Sequence, residues 1–270
     1  MSSFFELVLF SVDPNFIQKA VAAGVESILV DWEHLGKEER QKGFDTQINF
    51  QTVDDLIRVR QCTDARVICR INPPHPNTPR EIEAAINAGA DEIMVPMVRS
   101  VSEVTEILKL VQERCGVGIL VETIDAVNCA HTLGKLPLSR VYVGLNDLAI
   151  ELRMPNIFKV LINGTVEKVR ECFPDIPFGF GGLTLPYRGH PIPCYLLMGE
   201  MARLNCHFSF LRRSFYRDIQ GLDLRIAIAS ILEGLKKAFL RSPEEVERDH
   251  QIFSLLVQEW IRPEFVSKGG

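Results

Sequence analysis

The fold is decided by VGILVETIDAVNCAHTLGKLPLSRVYVGLND, residues 117–147. A short apolar run, VGILV, leads into Glu122. A helical pattern closed by Gly134 follows, and a second apolar run, RVYV, leads to Gly144, Asn146 and Asp147. Continuous apolar runs without strict alternation suit strands covered on both faces, hence parallel strands joined by a helix. The stretch is read as strand five, its helix, and strand six.

Outward from this unit the pattern repeats. FELVLFSV, SILVDW, ARVICRIN and DEIMVPMV read as strands one to four, and PFGFGG and CHFSFLRR as strands seven and eight. The helices between them carry their own punctuation. Asp13-Pro14 opens a helix closed by Gly24, with Pro just inside the start and Gly just past the end. Thr52 caps TVDDLIRVRQCT, with Asp54 and Asp55 in its first turn. Arg70, Pro96, Glu122 and Asp147 fall about 25 residues apart, roughly one βα unit. Eight such units predict an α/β fold, a (β/α)8 TIM barrel forming one domain over residues 1–270, with a C-terminal helical segment at about 223–262. A doubly wound open sheet would need a glycine-rich turn after strand one, and FSVDPN has no glycine.

Composition narrows the class. A hydrophobic fraction of 46% suits a well-buried core, and a net charge of −5 is the wrong sign for a dedicated nucleic-acid binder. Seven cysteines without a CxxC pair fit a reduced, cytoplasmic compartment. No apolar run approaches the ~20 residues of a membrane span. MSSFFELVLFSVDPN carries Glu6 and no basic start, so it reads as a strand rather than a signal peptide.

In a barrel of this kind the chemistry lies at the C-terminal strand ends. The polar residues there are Asp31, Glu33 and His34 after strand two, and Arg70 and Asn72 after strand three. Glu122 follows strand five, Asn146 and Asp147 end strand six, and Arg212 and Arg213 end strand eight. Glu122 and Asp147 would end strands about 4.8 Å apart. Two carboxylates that close repel unless a proton or cation lies between them. Two carboxylates with waters and substrate oxygens are the usual protein share of a Mg²⁺ or Mn²⁺ site; the alternative is a pair of salt-bridged or helix-capping acids. Arg70 suits a bidentate grip on a substrate carboxylate, or a structural pairing with Asp31 or Glu33. His34, with Asp31 to orient it, suits a general base near neutral pH. The alternative is a loop histidine paired with the charged GKEERQ run. FGFGG offers backbone N–H groups to an anion, or is simply a tight turn. His75 lies in a proline-rich loop that could approach the mouth. There is no zinc spacing, GxSxG or P-loop.

VDWEH, CRIN, GADEIMVPMV, ILVET and VYVGLNDLA, in that order over roughly residues 5–150, resemble the HpcH/HpaI aldolase and citrate lyase β-subunit family, within the phosphoenolpyruvate/pyruvate-binding barrel superfamily. The resemblance implies a barrel that is often a homo-oligomer, with its last helix on a neighbouring subunit. The helix beginning near Asp223, with Ile226, Ile228, Ile231, Leu232 and Leu235, is expected to join subunits. The resemblance also implies a divalent ion, Mg²⁺ or Mn²⁺, held by Glu122 and Asp147, with Arg70 on the substrate carboxylate and ketone oxygens and Asp31–His34 as the acid–base pair. Asn146 is a further candidate for substrate binding. The implied activity is that of a class II, metal-dependent aldolase: a carbon–carbon lyase acting on a 2-oxo acid through a metal-stabilised pyruvate enolate. No membrane or nucleic-acid partner is implied.

Two features depart from the family pattern. Leu120 stands where the pyruvate aldolases commonly carry Gln, two residues before the metal-binding Glu, and LTLPYRGHPIPCYLLMGEMARL has no clear counterpart. They leave open citrate-lyase-like cleavage or condensation of an acyl-CoA thioester, or a catalytically inactive metabolite-binding barrel. No lysine ends a strand at the mouth as a convincing Schiff-base candidate, which disfavours an imine route.

Overall fold

The structure of the protein is a computed structural model that describes residues 4–36 and 51–260. The charged run from Lys37, the TQIN stretch and the terminal EFVSKGG lie outside them.

Strands and helices alternate as β1 (Glu6–Phe10), α1 (Pro14–Ala22), β2 (Ser27–Asp31), α2 (Val53–Cys62), β3 (Arg66–Arg70), α3 (Thr78–Asn87), β4 (Glu92–Val95), α4 (Val101–Val111), β5 (Gly116–Val121), α5 (Ile124–Leu133) and β6 (Arg140–Val143). Then come α6 (Leu145–Glu151), α7 (Lys159–Ile162), α8 (Thr165–Glu171), β7 (Phe178–Phe180), β8 (Gly182–Leu183), α9 (Cys194–Arg203), β9 (Phe208–Leu211), α10 (Arg213–Asp218), α11 (Leu224–Phe239) and α12 (Pro243–Glu259). All strand pairs are parallel, in the order β7-β6-β5-β4-β3-β2-β1-β9-β8. This is a nearly closed TIM-like barrel.

The ninth strand comes from a break in the expected strand seven. Gly181 adopts φ +67°, a conformation glycine takes at no steric cost, and the turn there separates β7, which pairs with β6, from β8, which pairs with β9. The seam is drawn together where the His207 N–H donates to the Phe178 carbonyl at 2.8 Å.

The helix starts follow the capping chemistry of the sequence. Asp13 accepts from the N–H groups of Asn15 and Phe16, and Thr52 with Asp55 forms a reciprocal capping box. Asp147 is placed differently from the sequence reading. β6 stops at Val143, and Asp147 lies in the first turn of α6 rather than at a strand end.

Because strand side chains alternate faces, every second residue enters the barrel. The interior therefore builds in three layers. Val8, Leu29, Ile68, Met94, Leu120, Tyr142 and Phe210 pack as an apolar middle. Two residues earlier on four of these strands stand Glu6, Arg66, Glu92 and Arg140, which close the base with ion pairs. Arg140 Nε lies 2.7 Å from Glu92 Oε1, its Nη1 lies 3.1 Å from Glu6 Oε1, and Arg66 Nη1 lies 3.4 Å from Glu92 Oε2. Two residues later stand Phe10, Asp31, Arg70, Glu122 and Arg212, at the mouth.

The C-terminal segment is two helices. α11 buries Ala227, Ile228, Ile231, Leu235 and Ala238 against α9 and α1 of its own chain, while α12 packs on α9 and α7. The face expected to join subunits is thus largely covered from within, because α9 presents a matching apolar surface. Ile226 alone of the five expected residues is strongly exposed. Among the described residues no helix is long and apolar enough to cross a membrane.

Candidate active site at the barrel mouth

A cavity of about 820 Å³ opens at the mouth, lined by Asp31, Glu33, Arg70, Leu120, Glu122, Asn146, Asp147 and Arg212, among others. The segments just after β5 and β6 and the ends of β2 and β3 thus bring most of the expected residues to one space.

Arg70 is the organising cation. Its Nε and Nη2 each donate to one oxygen of Asp31 at 2.8 Å, and Glu33 Oε2 lies 3.4 Å from Nε. Its guanidinium carbon lies 5.4 Å from the centroid of the Phe10 ring. Burial disfavours its charge, but the Asp31 and Glu33 carboxylates more than offset this and keep it protonated. Asp31 Oδ1, which accepts from Arg70 Nε, also accepts from the Glu33 N–H at 3.2 Å.

Glu122 follows β5 directly, on the same face as Leu120. Its pKa is pushed up to about 8, first by burial and then by the charges of Asp147 and Glu33; Arg70 and the Met97 N–H, 2.9 Å from Oε1, pull the other way. Gly144 passes so close that a Cβ there would collide with the Glu122 carboxylate. The missing side chain leaves the two acids facing one space. Two mutually repelling carboxylates, one of them desolvated, suit a divalent cation that keeps waters and substrate oxygens as its other ligands. Among the described residues no group of three His, Cys, Asp or Glu side chains forms a fuller ligand set.

His34 lies just past β2 and is exposed, outside the described cavity lining. Its Nδ1 lies 2.9 Å from the Trp32 carbonyl. A carbonyl only accepts, so Nδ1 carries the proton and Nε2 is the basic nitrogen. Asn72 Oδ1 accepts from the N–H groups of His34 and Leu35, and Asn72 is itself held by Glu81 at 2.7 Å. Asp31 holds Arg70, and the Trp32 carbonyl lies beside His34 Nδ1. The reason is geometric, since Asp31 is the last residue of β2 and points into the barrel beside Arg70, its register partner. His75 is likewise held locally, by Thr78 Oγ1 at 3.1 Å.

Sequence reasoning missed Gln51, Phe10, Tyr142 and Phe210, all of which line the cavity. Gln51 Oε1 accepts from the Asp31 N–H at 2.6 Å. The three aromatics were findable, since each occupies an inward position in the strand alternation.

A parallel barrel with acids and an arginine at its mouth defines a class of small-molecule enzymes. The HpcH/HpaI aldolase/citrate lyase family model matches residues 6–156, and the chain belongs to that family, one of lyases. No curated protein matches the sequence. Among solved structures, a citrate lyase from Burkholderia xenovorans LB400 is similar at 14% identity with a TM-score of 0.60, covering 92% of this chain and 80% of that one. RipC from Yersinia pestis gives 11% identity and a TM-score of 0.58, covering 90% and 98%. An HpcH/HpaI aldolase from Desulfitobacterium hafniense DCB-2 gives 14% and 0.56, covering 88% and 94%. At these identities the likeness is one of fold.

Proposed function

We propose that this protein is a divalent-metal-dependent carbon–carbon lyase of the aldolase type, acting on a 2-oxo acid. The observation that supports it most is the pairing of Glu122 and Asp147 in a cavity shared with Arg70. Glu122 and Asp147 would hold Mg²⁺ or Mn²⁺. When bound, the ion would draw electron density from the 2-oxo group and offset the charge that develops there.

The chain's own residues do the rest. Arg70 neutralises the substrate carboxylate with the part of its guanidinium that faces the cavity, and Asp31 is the positioning residue that fixes its plane. Asn146, on the cavity wall, binds a substrate oxygen. His34, at the rim just past β2 and outside the cavity lining, would take the proton of a substrate hydroxyl that extends to the rim, with its Nδ1 beside the Trp32 carbonyl. Phe10 and Phe210 keep water off the reacting carbon. The protein works in the cytoplasm as a single-domain barrel that forms homo-oligomers.

The test is incubation with Mg²⁺ or Mn²⁺ and a panel of 4-hydroxy-2-oxo acids and acyl-CoA esters, reading out pyruvate and acetyl-CoA. Metal-dependent release of pyruvate is the expected result. Release of acetyl-CoA alone would assign the thioester chemistry instead, and no cleavage of any panel member would contradict lyase function.

A further inference from the structure

We infer that the C-terminal helix α12 is a strap that holds one wall of the mouth in place through the buried side chain of Asn156, and that the contact between His250 and Glu200 fastens it. The inference concerns how the mouth is held, and it stands whichever reaction takes place there.

The connection from β6 to β7 is the weak side of the mouth. It is built from three short helices: α6 and α8 have seven residues each, and α7 has four. Helices this short are marginal on their own, so tertiary contacts must hold them. Yet this connection carries Asn146 and Asp147 in α6, and Ile157 and Phe158 just before α7, all of which line the cavity.

The face of α12 turned toward this connection supplies the contacts. His250, Phe253 and Val257 stand at i, i+3 and i+7, on one side of the helix. The Phe253 ring meets that of Phe158 edge-on, with centroids 6.1 Å apart. Asn156 is fully buried. Its Nδ2 donates to the Val257 carbonyl at 2.9 Å and to the Trp260 carbonyl at 3.1 Å, and its Oδ1 accepts from the Phe158 N–H at 2.8 Å. The last carbonyls of a helix have no partner within it, and a glycine commonly closes such an end. α12 ends instead at Trp260, in extended backbone. A side chain from the mouth wall therefore does the capping. One amide holds both the end of α12 and the start of α7, so neither can move without leaving a buried polar group unpaired.

Further back, the strap is fastened on α9. His250 Nδ1 lies 3.0 and 3.1 Å from the two carboxylate oxygens of Glu200, which is buried. A carboxylate accepts, so Nδ1 carries the proton. Arg203 also donates to Glu200, from Nε at 2.9 Å and from Nη2 at 2.8 Å, and its Nη1 lies 2.6 Å from Glu167 in α8. Glu200 thus keeps a counter-charge when His250 is removed, and the fastening can be cut without stranding a buried ion.

The test is hydrogen–deuterium exchange, read by mass spectrometry on the full chain. Asn156→Asp keeps the acceptor for Phe158 and turns the two donated bonds into contacts between oxygens. It should speed exchange by at least about fivefold in residues 243–260 and in residues 145–162 together. His250 lies outside the cavity lining, and His250→Ala should speed the same two segments by a smaller factor. β1 to β4 should keep wild-type rates in both variants. Wild-type exchange in both segments of Asn156→Asp would overturn the strap. So would faster exchange in 243–260 with 145–162 unchanged in either variant, or a rise spread evenly over the whole barrel.

Discussion

The two ends of the barrel treat charge in opposite ways. At the base, Glu6 and Glu92 meet Arg140 and Arg66, so two acids face two arginines in ion pairs. At the mouth, Asp31, Glu33, Glu122 and Asp147 share one cavity with Arg70, while Arg212 stands apart on the far wall. At the base each acid has an arginine of the same chain as its counter-charge. On the function proposed above, the acids at the mouth would be balanced by a bound cation. The same alternation of side chains produces both layers, so the difference lies in the residues chosen and not in the architecture.

The largest expected effect separates stability from function. Arg140→Met should destabilise the protein by roughly 3–5 kcal/mol, because it leaves Glu92 and Glu6 without their main partner in a buried site. Denaturant melts would show it as a fall in the midpoint with little change in slope. Asp147→Asn at the mouth should leave the midpoint near wild type and remove Mn²⁺ binding and turnover. If Arg140→Met were neutral and Asp147→Asn unfolded the protein, the contrast between the ends would be wrong.

Next in size is His34. With its Nδ1 beside the Trp32 carbonyl, His34→Ala should lower turnover by about 10²-fold, the low end for loss of a general base, with Mn²⁺ affinity unchanged. Full turnover across pH 6–9 would make it a rim residue only.

A smaller effect concerns pH. The pKa of Glu122 rises from 4.5 to about 8 on folding, so the native state binds its proton more tightly than the unfolded chain does. That contribution to stability is fully present below about pH 4.5 and is lost as pH rises through 8. The metal-free protein should therefore lose stability over this window. Glu122→Gln, which cannot ionise, should flatten that part of the profile and melt higher than wild type at pH 8. A parallel pair of pH–stability curves would show that the acids at the mouth do not strain one another.

Much of this was legible in the sequence, for physical reasons that can be named. The caps at Asp13 and Thr52 and the glycine stops mark helices, and the continuous apolar runs mark parallel strands. The strand ends Arg70 and Glu122 could be located because the apolar run stops there. Asp147 was carried one element too far, since Gly144 ends β6 and opens α6 with no other boundary signal. Asp31 and His34 are close in sequence, which suggested a pair. Contact across β2 and β3, a long-range event that sequence proximity does not show, brings Asp31 to Arg70. The base network was missed although its signal is plain in retrospect: a charged residue opens or nearly opens β1, β3, β4 and β6, two positions before an inward apolar one. The break at Gly181 was invisible because three glycines in five residues fit a turn, a strand or an anion loop equally.

Under the proposed function the mouth acids hold a divalent cation, and melting at pH 8 with and without Mn²⁺ tests this most directly. Wild type should gain several degrees on addition of Mn²⁺, more than it gains from the same ionic strength of a monovalent salt. Glu122→Gln should start higher without metal and gain almost nothing with it. An equal Mn²⁺ shift in the wild type and in Glu122→Gln, or no shift in either, would contradict the account.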